Sequence, residues 1–254
     1  MAQKYIFLML SKSQIKLIKS LSQKKFRNKH KLFVVEGLKG VREFLNSDFE
    51  LVSLYVVDGE FEEHQQFLNI IDQKELKKIS FLKTPQKALA VFKIPVKRDL
   101  KIGDLTVVLD GVRDPGNLGT IIRLCDWFGI ENLICSLDTV DCYNPKVVQA
   151  SMGSLTRVEI FYSDLVNVLG AHKNIPVFGT MLNGENIYSK KKPDKALIVM
   201  GNEANGISEE IQALISNKIT IPQFGEIQET ESLNVATATS IILSEFRRSS
   251  IIEK

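Results

Sequence analysis

Three segments of the 254-residue chain combine amide, carboxylate, guanidinium and hydroxyl side chains with glycine, each directly after an apolar run of strand character. Val107–Arg123 reads VVLDGVRDPGNLGTIIR, Ile198–Ser208 reads IVMGNEANGIS, and Ile219–Ala236 reads ITIPQFGEIQETESLNVA. Ligands of α/β sheets bind at the carboxyl ends of strands, so these are the positions where such side chains could meet a ligand. In the first segment Pro115 and Gly116 make a turn, Asn117 is placed to cap the helix that follows, and Arg123 faces away from that helix's apolar side. In the second, two glycines and two asparagines flank Glu203, and glycine lets a ligand approach the backbone closely. In the third, Ser232, Leu233 and Asn234 precede an apolar helix. Taken singly, each segment is also satisfied by turn and cap chemistry with solvated Arg123 and Glu203. Their recurrence, in order, after three strands favours a site.

Several other chemistries lack their signature. There is no GxGxxG after a strand and no GxxxxGK[ST], which argues against a dinucleotide fold or a P-loop. His30, His64 and His172 lie apart from the glycine-rich segments, and no HExxH or Cys/His cluster predicts zinc, so no metal is expected. A GxSxG nucleophile elbow is missing too.

The elements that must position these residues follow from periodicity. Before residue 95 the pattern predicts a helix over 12–21, a strand over 32–35, a helix over 37–45, a strand over 51–57 and a helix over 62–71. Lys93–Asp104, KIPVKRDLKIGD, is charged and aperiodic and holds Pro95 and Gly103. It divides the chain into residues 1–95, a linker at 96–104, and residues 105–254. Beyond it, strands at 105–109, 132–135, 158–161, 177–180, 196–200 and 219–221 alternate with helices at 118–128, 144–152 and 208–216, one between 161 and 177, and one from about 235. Ser208 is read as a helix N-cap, and Arg247 and Arg248 suit the C-terminal end of the last helix. Such alternation predicts a mainly parallel sheet covered on both faces.

Nine of the 33 Lys and Arg lie in the first 31 residues, where there is no Asp or Glu, so the remainder carries more acid than base, 30 against 24. A basic arm on a mildly acidic body suits a polyanionic partner, although a solvated lysine face accounts for it as well. The apolar run Tyr5–Leu10 is too short for a leader or a membrane span. The three cysteines form no CxxC pair or disulfide framework, which predicts a reducing cytoplasm.

NxGxxxR at Asn117–Arg123, GNE at Gly201–Glu203 and IP…SLNVA at Ile221–Ala236 resemble the three motifs of SpoU-type RNA 2′-O-ribose methyltransferases of the SPOUT superfamily. SMGS at Ser151–Ser154 and GTML at Gly179–Leu182 fit the same pattern, which spans roughly residues 105–248. LFVVEGLKGVREFL, at Leu32–Leu45, resembles the small L30-like α/β substrate-binding domain often fused to that family.

The resemblance implies an α/β fold whose C-terminal parallel-sheet domain is tied in a trefoil knot, against the general rule that chains do not knot. It implies S-adenosylmethionine as methyl donor, bound at Thr180, Met181, Gly201, Ile221, Leu233 and Ala236. Asn117, Arg123, Glu203, Ser232 and Asn234 would be catalytic or substrate-positioning. A homodimer with its active site at the interface is implied as well. RNA would be bound with help from Lys24, Lys25, Arg27 and Lys29, large-subunit ribosomal RNA first and transfer RNA second. The resemblance casts Arg123 as a base helped by an RNA phosphate. A guanidinium is too weak an acid to give up its proton readily in a protein, so an orienting and charge-stabilising role is expected instead. A base methyltransferase of the same superfamily and a non-catalytic RNA-binding or ribosome-assembly protein on the same fold are the alternatives.

Overall fold

The computed structural model describes residues 9–57, 59–96, 98–189, 192–225 and 232–252, with side chains to residue 248. The chain forms two compact units, Met1–Arg98 with Asp141–Thr156, and Asp99–Val140 with Arg157–Lys254.

The first unit holds helices α1 (Lys12–Ser20), α2 (Lys24–His30), α3 (Leu38–Leu45) and α4 (Gln73–Ile79), and strands β1 (Leu32–Glu36), β2 (Leu51–Val56), β3 (Leu68–Ile70) and β4 (Ala88–Lys93). Their sheet order is β1-β4-β2-β3, with β4 antiparallel to both neighbours and β3 parallel to β2. Alternation along β1 sends Val34 to one face, with Ile18, Leu21, Leu76 and Ile79, and Phe33 to the other, where it meets Phe44, Phe49 and Phe92. Residues 141–156, expected in the C-terminal domain, belong here. Tyr143 packs on Phe33 with ring centroids 4.7 Å apart, and α6 (Pro145–Ser151) packs on β1. The helix expected over 62–71 is replaced by a 3-10 turn at Glu62–His64 and by β3, because Leu68–Ile70 pairs with Leu54–Val56. An apolar run that short fits either period, and the strand edge decides it.

The second unit is a six-stranded sheet, β10-β8-β9-β5-β6-β7, parallel throughout. Its strands are β5 (Leu105–Leu109), β6 (Asn132–Cys135), β7 (Glu159–Tyr162), β8 (Val177–Asn186), β9 (Ala196–Met200) and β10 (Asn217–Thr220). Helices α5 (Pro115–Trp127), α7 (Leu165–Ala171), α8 (Glu209–Gln212) and α9 (Val235–Ile252) complete it. β5 and β9 are buried along their whole length, as a central parallel pair requires. Val108, Leu197 and Val199 lie in the core with Leu165, Leu169 and Ile211, while α5 packs against α9. Part of the expected linker belongs to this core, since Leu100 and Ile102 pack against it. Arg247 serves α5 rather than the end of its own helix, donating to the carbonyls of Phe128 and Gly129 at 2.8 and 2.9 Å.

Candidate active site

After β5 the chain turns at Gly111 (φ +72°), and Asp114 caps α5 by accepting from the Asn117 N–H at 2.8 Å. The cap expected of Asn117 is therefore supplied by Asp114, because Pro115, which has no N–H to satisfy, takes the first helical position. Asn117 thus lies inside the first turn with its side chain available. Its Nδ2 donates to Glu203 Oε1 at 2.9 Å, and its Oδ1 accepts from Asn234 Nδ2 at 2.9 Å. One amide joins all three segments.

Each partner is held from behind. Asn234 caps α9, its Oδ1 accepting from the N–H groups of Ala236 and Thr237 at 3.0 and 3.2 Å. Glu203 rides on a turn closed by reciprocal Asn202 and Gly206 backbone bonds of 2.9 Å. The Asn202 side chain braces that turn, accepting from the Ala204 and Asn205 N–H groups and donating to the Gly111 carbonyl at 2.5 Å. The backbone of Gly206 and Ile207 crosses directly against Gly201, where an added Cβ would stand 2.3 Å from the Gly206 carbonyl carbon. Gly201→Ala should consequently lower stability by about 1–3 kcal/mol, as overpacking does, in chemical denaturation.

Hydrogen bonds tie this floor to the neighbouring strand ends. Ser208 sits at the α8 N-cap position, but its hydroxyl donates to Asp110 Oδ2 at 2.8 Å and makes no side-chain cap. The Ser136 hydroxyl accepts from the Gly111 N–H and bonds Asp138. That hydroxyl first, and the Arg113 guanidinium second, hold the Asp138 carboxyl below the usual carboxylate range. Asp110, Asp114 and Ser136 were not singled out from the sequence. The signal available was a short polar residue directly after each buried strand or before Pro115.

The structure leaves two of the expected catalytic residues outside the cluster. Arg123 is exposed on α5 with no partner among the described residues. It stands six residues on from Asn117, roughly 9 Å along the axis and about 120° around it. Ser232 is exposed just before α9, also without a described side-chain partner.

The expected cofactor positions are spread over β8 (Thr180, Met181), the ends of β9 (Gly201) and β10 (Ile221) and the start of α9 (Leu233, Ala236). β8 pairs with β9 through Val177–Gly179 and with β10 at Phe178, Gly179, Glu185 and Asn186, so residues 180–184 fall outside both registers. Thr180 and Met181 are half-buried there, and the Thr180 hydroxyl donates to the Val199 carbonyl at 3.2 Å. Ile221 is half-buried after β10, Leu233 is 49% exposed, and Ala236 is buried in α9. A cleft of about 260 Å³ at the amino end of β5, lined by Asp104, Glu131 and Arg247, includes none of these residues. Among the described residues no group of three or more His, Cys, Asp or Glu is placed to hold a metal.

In the first unit, Lys24, Lys25 and Lys29 are exposed on α2. Arg27 is not: it is 1% exposed, and its guanidinium bonds Asp141 and donates to the Leu21 and Ser22 carbonyls at 2.8 and 2.9 Å. The RNA contact expected of Arg27 is corrected to a structural one, because helical periodicity turns it inward while its neighbours in sequence face out.

The SpoU rRNA methylase family matches residues 104–244, more than half of the chain. The chain belongs to this family. Residues 12–90 match the MRM3-like substrate binding domain, which identifies the first unit's type. A relative in Bacillus subtilis, 23S rRNA (guanosine(2553)-2′-O)-methyltransferase RlmP, is 28% identical over 92% of this chain and 96% of its own. Among solved structures, a protein from Porphyromonas gingivalis assigned to the TrmH family of RNA methyltransferases is 39% identical, covers 95% of this chain and 99% of its own, and superposes with a TM-score of 0.86. The AdoMet-bound rRNA methyltransferase of Sinorhizobium meliloti is 29% identical, covers 96% and 97%, and has a TM-score of 0.84. The parallel sheet is thus that of the SpoU family, and within it Asn117, Glu203 and Asn234 join the three polar segments.

Proposed function

We propose that this chain transfers a methyl group from S-adenosylmethionine to a ribose 2′-hydroxyl of large-subunit ribosomal RNA. The observation that carries the reading is the hydrogen-bonded junction of Asn117, Glu203 and Asn234, which unites the three family motifs at the carboxyl ends of β5 and β9. Ribosomal rather than transfer RNA is favoured because the Bacillus subtilis relative, named for 23S rRNA, matches nearly the whole chain, first unit included.

The residues present fit the cofactor. The backbone at 180–184, outside both ladders, offers the amide and carbonyl groups that read an adenine edge, and Met181, Ile221 and Leu233 offer partly exposed apolar surface for its ring. When bound, the sulfonium supplies an activated methyl and a neutral leaving group. The chain's task is then to align the ribose oxygen, a positioning effect. Asn117, Glu203 and Asn234 fix the floor of that site, and Ser232 lies at its rim. Arg123 holds the hydroxyl and an adjoining phosphate and stabilises the charge growing on the oxygen. Lys24, Lys25 and Lys29 hold RNA phosphates.

Arg123 reaches such a site in a homodimer. Thr120, Arg123 and Trp127 form one outward stripe of α5, and Trp127 is 84% exposed. An uncovered tryptophan beside an unpartnered arginine supports a protein interface there. We propose that the second unit carries the family's trefoil knot. β10 is the sheet edge, whereas Asn234 meets Asn117 beside β5, three strands inward, and this separation of neighbouring described segments supports the knotted reading. None of the three cysteines is in a disulfide, and no described helix is long and apolar enough to cross a membrane, which supports a cytoplasmic site of action.

The test is transfer of labelled methyl from S-adenosylmethionine to unmodified ribosomal and transfer RNA. Label should enter ribosomal RNA and protect one linkage from alkaline cleavage, and Arg123→Ala should lower the rate about 100-fold. Mixing Arg123→Ala with Asn117→Ala subunits should restore about a quarter of the activity if each site draws on both copies. Label only in transfer RNA would overturn the substrate, and no label despite bound cofactor would favour a non-catalytic RNA-binding protein.

A further inference from the structure

Helix α2 is held firmly on one side and unusually furnished on the other. Its inner side is fixed by Arg27, which is buried against Asp141 and the carbonyls of Leu21 and Ser22. Outward, Lys25 and Lys29 lie one turn apart, and on the adjoining ridge Phe26 and His30 do the same. The Phe26 and His30 rings are nearly parallel, 17° between planes with centroids 6.5 Å apart. The Lys25 ammonium lies 6.0 Å from the Phe26 ring centre. Phe26 is only half-buried and His30 is exposed, so this aromatic surface is not consumed by the core.

A lysine row that meets phosphates needs no aromatic ridge beside it. A ridge of flat rings flanked by ammonium groups matches what an unpaired nucleotide offers, a π-face next to a phosphate. We propose that Phe26 and His30 form a stacking platform for an unpaired base of the RNA substrate, with Lys25 and Lys29 holding its flanking phosphates. The proposal rests on the reading of the chain as an RNA enzyme and names single-stranded RNA as what the first unit selects. Arg27 acts as a positioning residue that keeps the platform rigid.

Fluorescence anisotropy of the full-length protein with short labelled oligouridine, and with a blunt RNA duplex of the same length, tests this. Phe26→Leu and His30→Ala should each weaken oligouridine binding about ten-fold, within the range of a lost base–aromatic stack. Duplex binding and the salt dependence should stay unchanged. Phe26→Tyr, which keeps a ring, should bind as wild type. Lys25→Ala/Lys29→Ala should instead flatten the salt slope for oligouridine by about 1.4, at about 0.7 per phosphate contact. Equal unfolding midpoints would show that the variants fold, and His30→Ala with Phe26→Tyr carries the test if Phe26→Leu does not. The proposal is overturned if His30→Ala and Phe26→Leu bind oligouridine as wild type, or lose oligouridine and duplex alike. Methyl transfer to ribosomal RNA is followed separately. Loss of the platform should raise KM and leave kcat unchanged, whereas absence of transfer by the wild type would reject the enzyme reading itself.

Discussion

Asn117→Asp should lower methyl transfer by about 100- to 1000-fold, and adding Glu203→Gln should bring the rate back to within about ten-fold of wild type. The polarity of the junction sets this outcome. Asn117 accepts from Asn234 and donates to Glu203, and Asn234 cannot flip, because its oxygen is committed to the first N–H groups of α9. An aspartate at 117 still accepts from Asn234 but sets two carboxylates against each other, so Glu203 must swing away or take up a proton. With glutamine at 203 the amide can donate to the aspartate, and the junction closes again with the reverse sense. Glu203→Gln alone should retain most activity, since its carbonyl can still accept from Asn117. Single-turnover rates at saturating RNA check all three variants. If the double variant stays as slow as Asn117→Asp, and Glu203→Gln is slow by itself, Glu203 is required as a carboxylate and takes the hydroxyl proton, and a purely geometric role is rejected.

Arg27→Met should destabilise the first unit by about 3–5 kcal/mol, read as a shift of the denaturant midpoint. The loss comes from what is left behind. The Asp141 side chain is only 13% exposed and would lose its counter-ion while keeping the Tyr143 N–H at 3.1 Å, and the Leu21 and Ser22 carbonyls would each lose a donor. Replacing both charges, as Arg27→Met/Asp141→Leu, should recover much of the stability, because the isolated buried carboxylate is then gone. A loss below about 1 kcal/mol in the single variant would mean that water reaches Asp141 readily and the pair behaves as a surface ion pair. Neither variant touches the Asn117 junction, so cofactor binding should be retained wherever the protein remains folded.

What was legible in the sequence tracks how local its cause is. The strands at 105–109, 132–135 and 196–200 could be read to the residue because continuous β-branched and leucine runs bounded by polar turns have one reading in a parallel sheet. The GNE segment was legible as a candidate because glycine and amides directly after such strands are few, and SLNVA because its serine and asparagine stand directly before an apolar helix. β4 was missed although it is the strand that both β1 and β2 pair with. ALAVFK is short, alanine-rich and without alternation, and its place is set by partners 32 to 61 residues away. α2 was missed for a different reason. It is cationic nearly throughout, and its single inward-facing residue is Arg27, so no apolar stripe marks its buried side. The same fact misplaced Arg27 among the RNA contacts. Asp114 outcompeted Asn117 as a cap because of one following proline, a distinction that composition around a turn does not resolve.

The interleaving of the two units bears on how the protein is made. Arg27 emerges from the ribosome long before Asp141, and β1 before α6. The first unit is incomplete when residue 98 appears, and it remains so while β5, α5 and β6 of the other unit are synthesised. At about 5–20 residues per second that wait is on the order of several seconds, ample time for a nascent chain to need shelter. A nick or premature stop between 98 and 141 therefore does not release a finished RNA-binding module. It releases one with a buried cation lacking its counter-ion and an aromatic face lacking Tyr143, the kind of fragment that quality control removes.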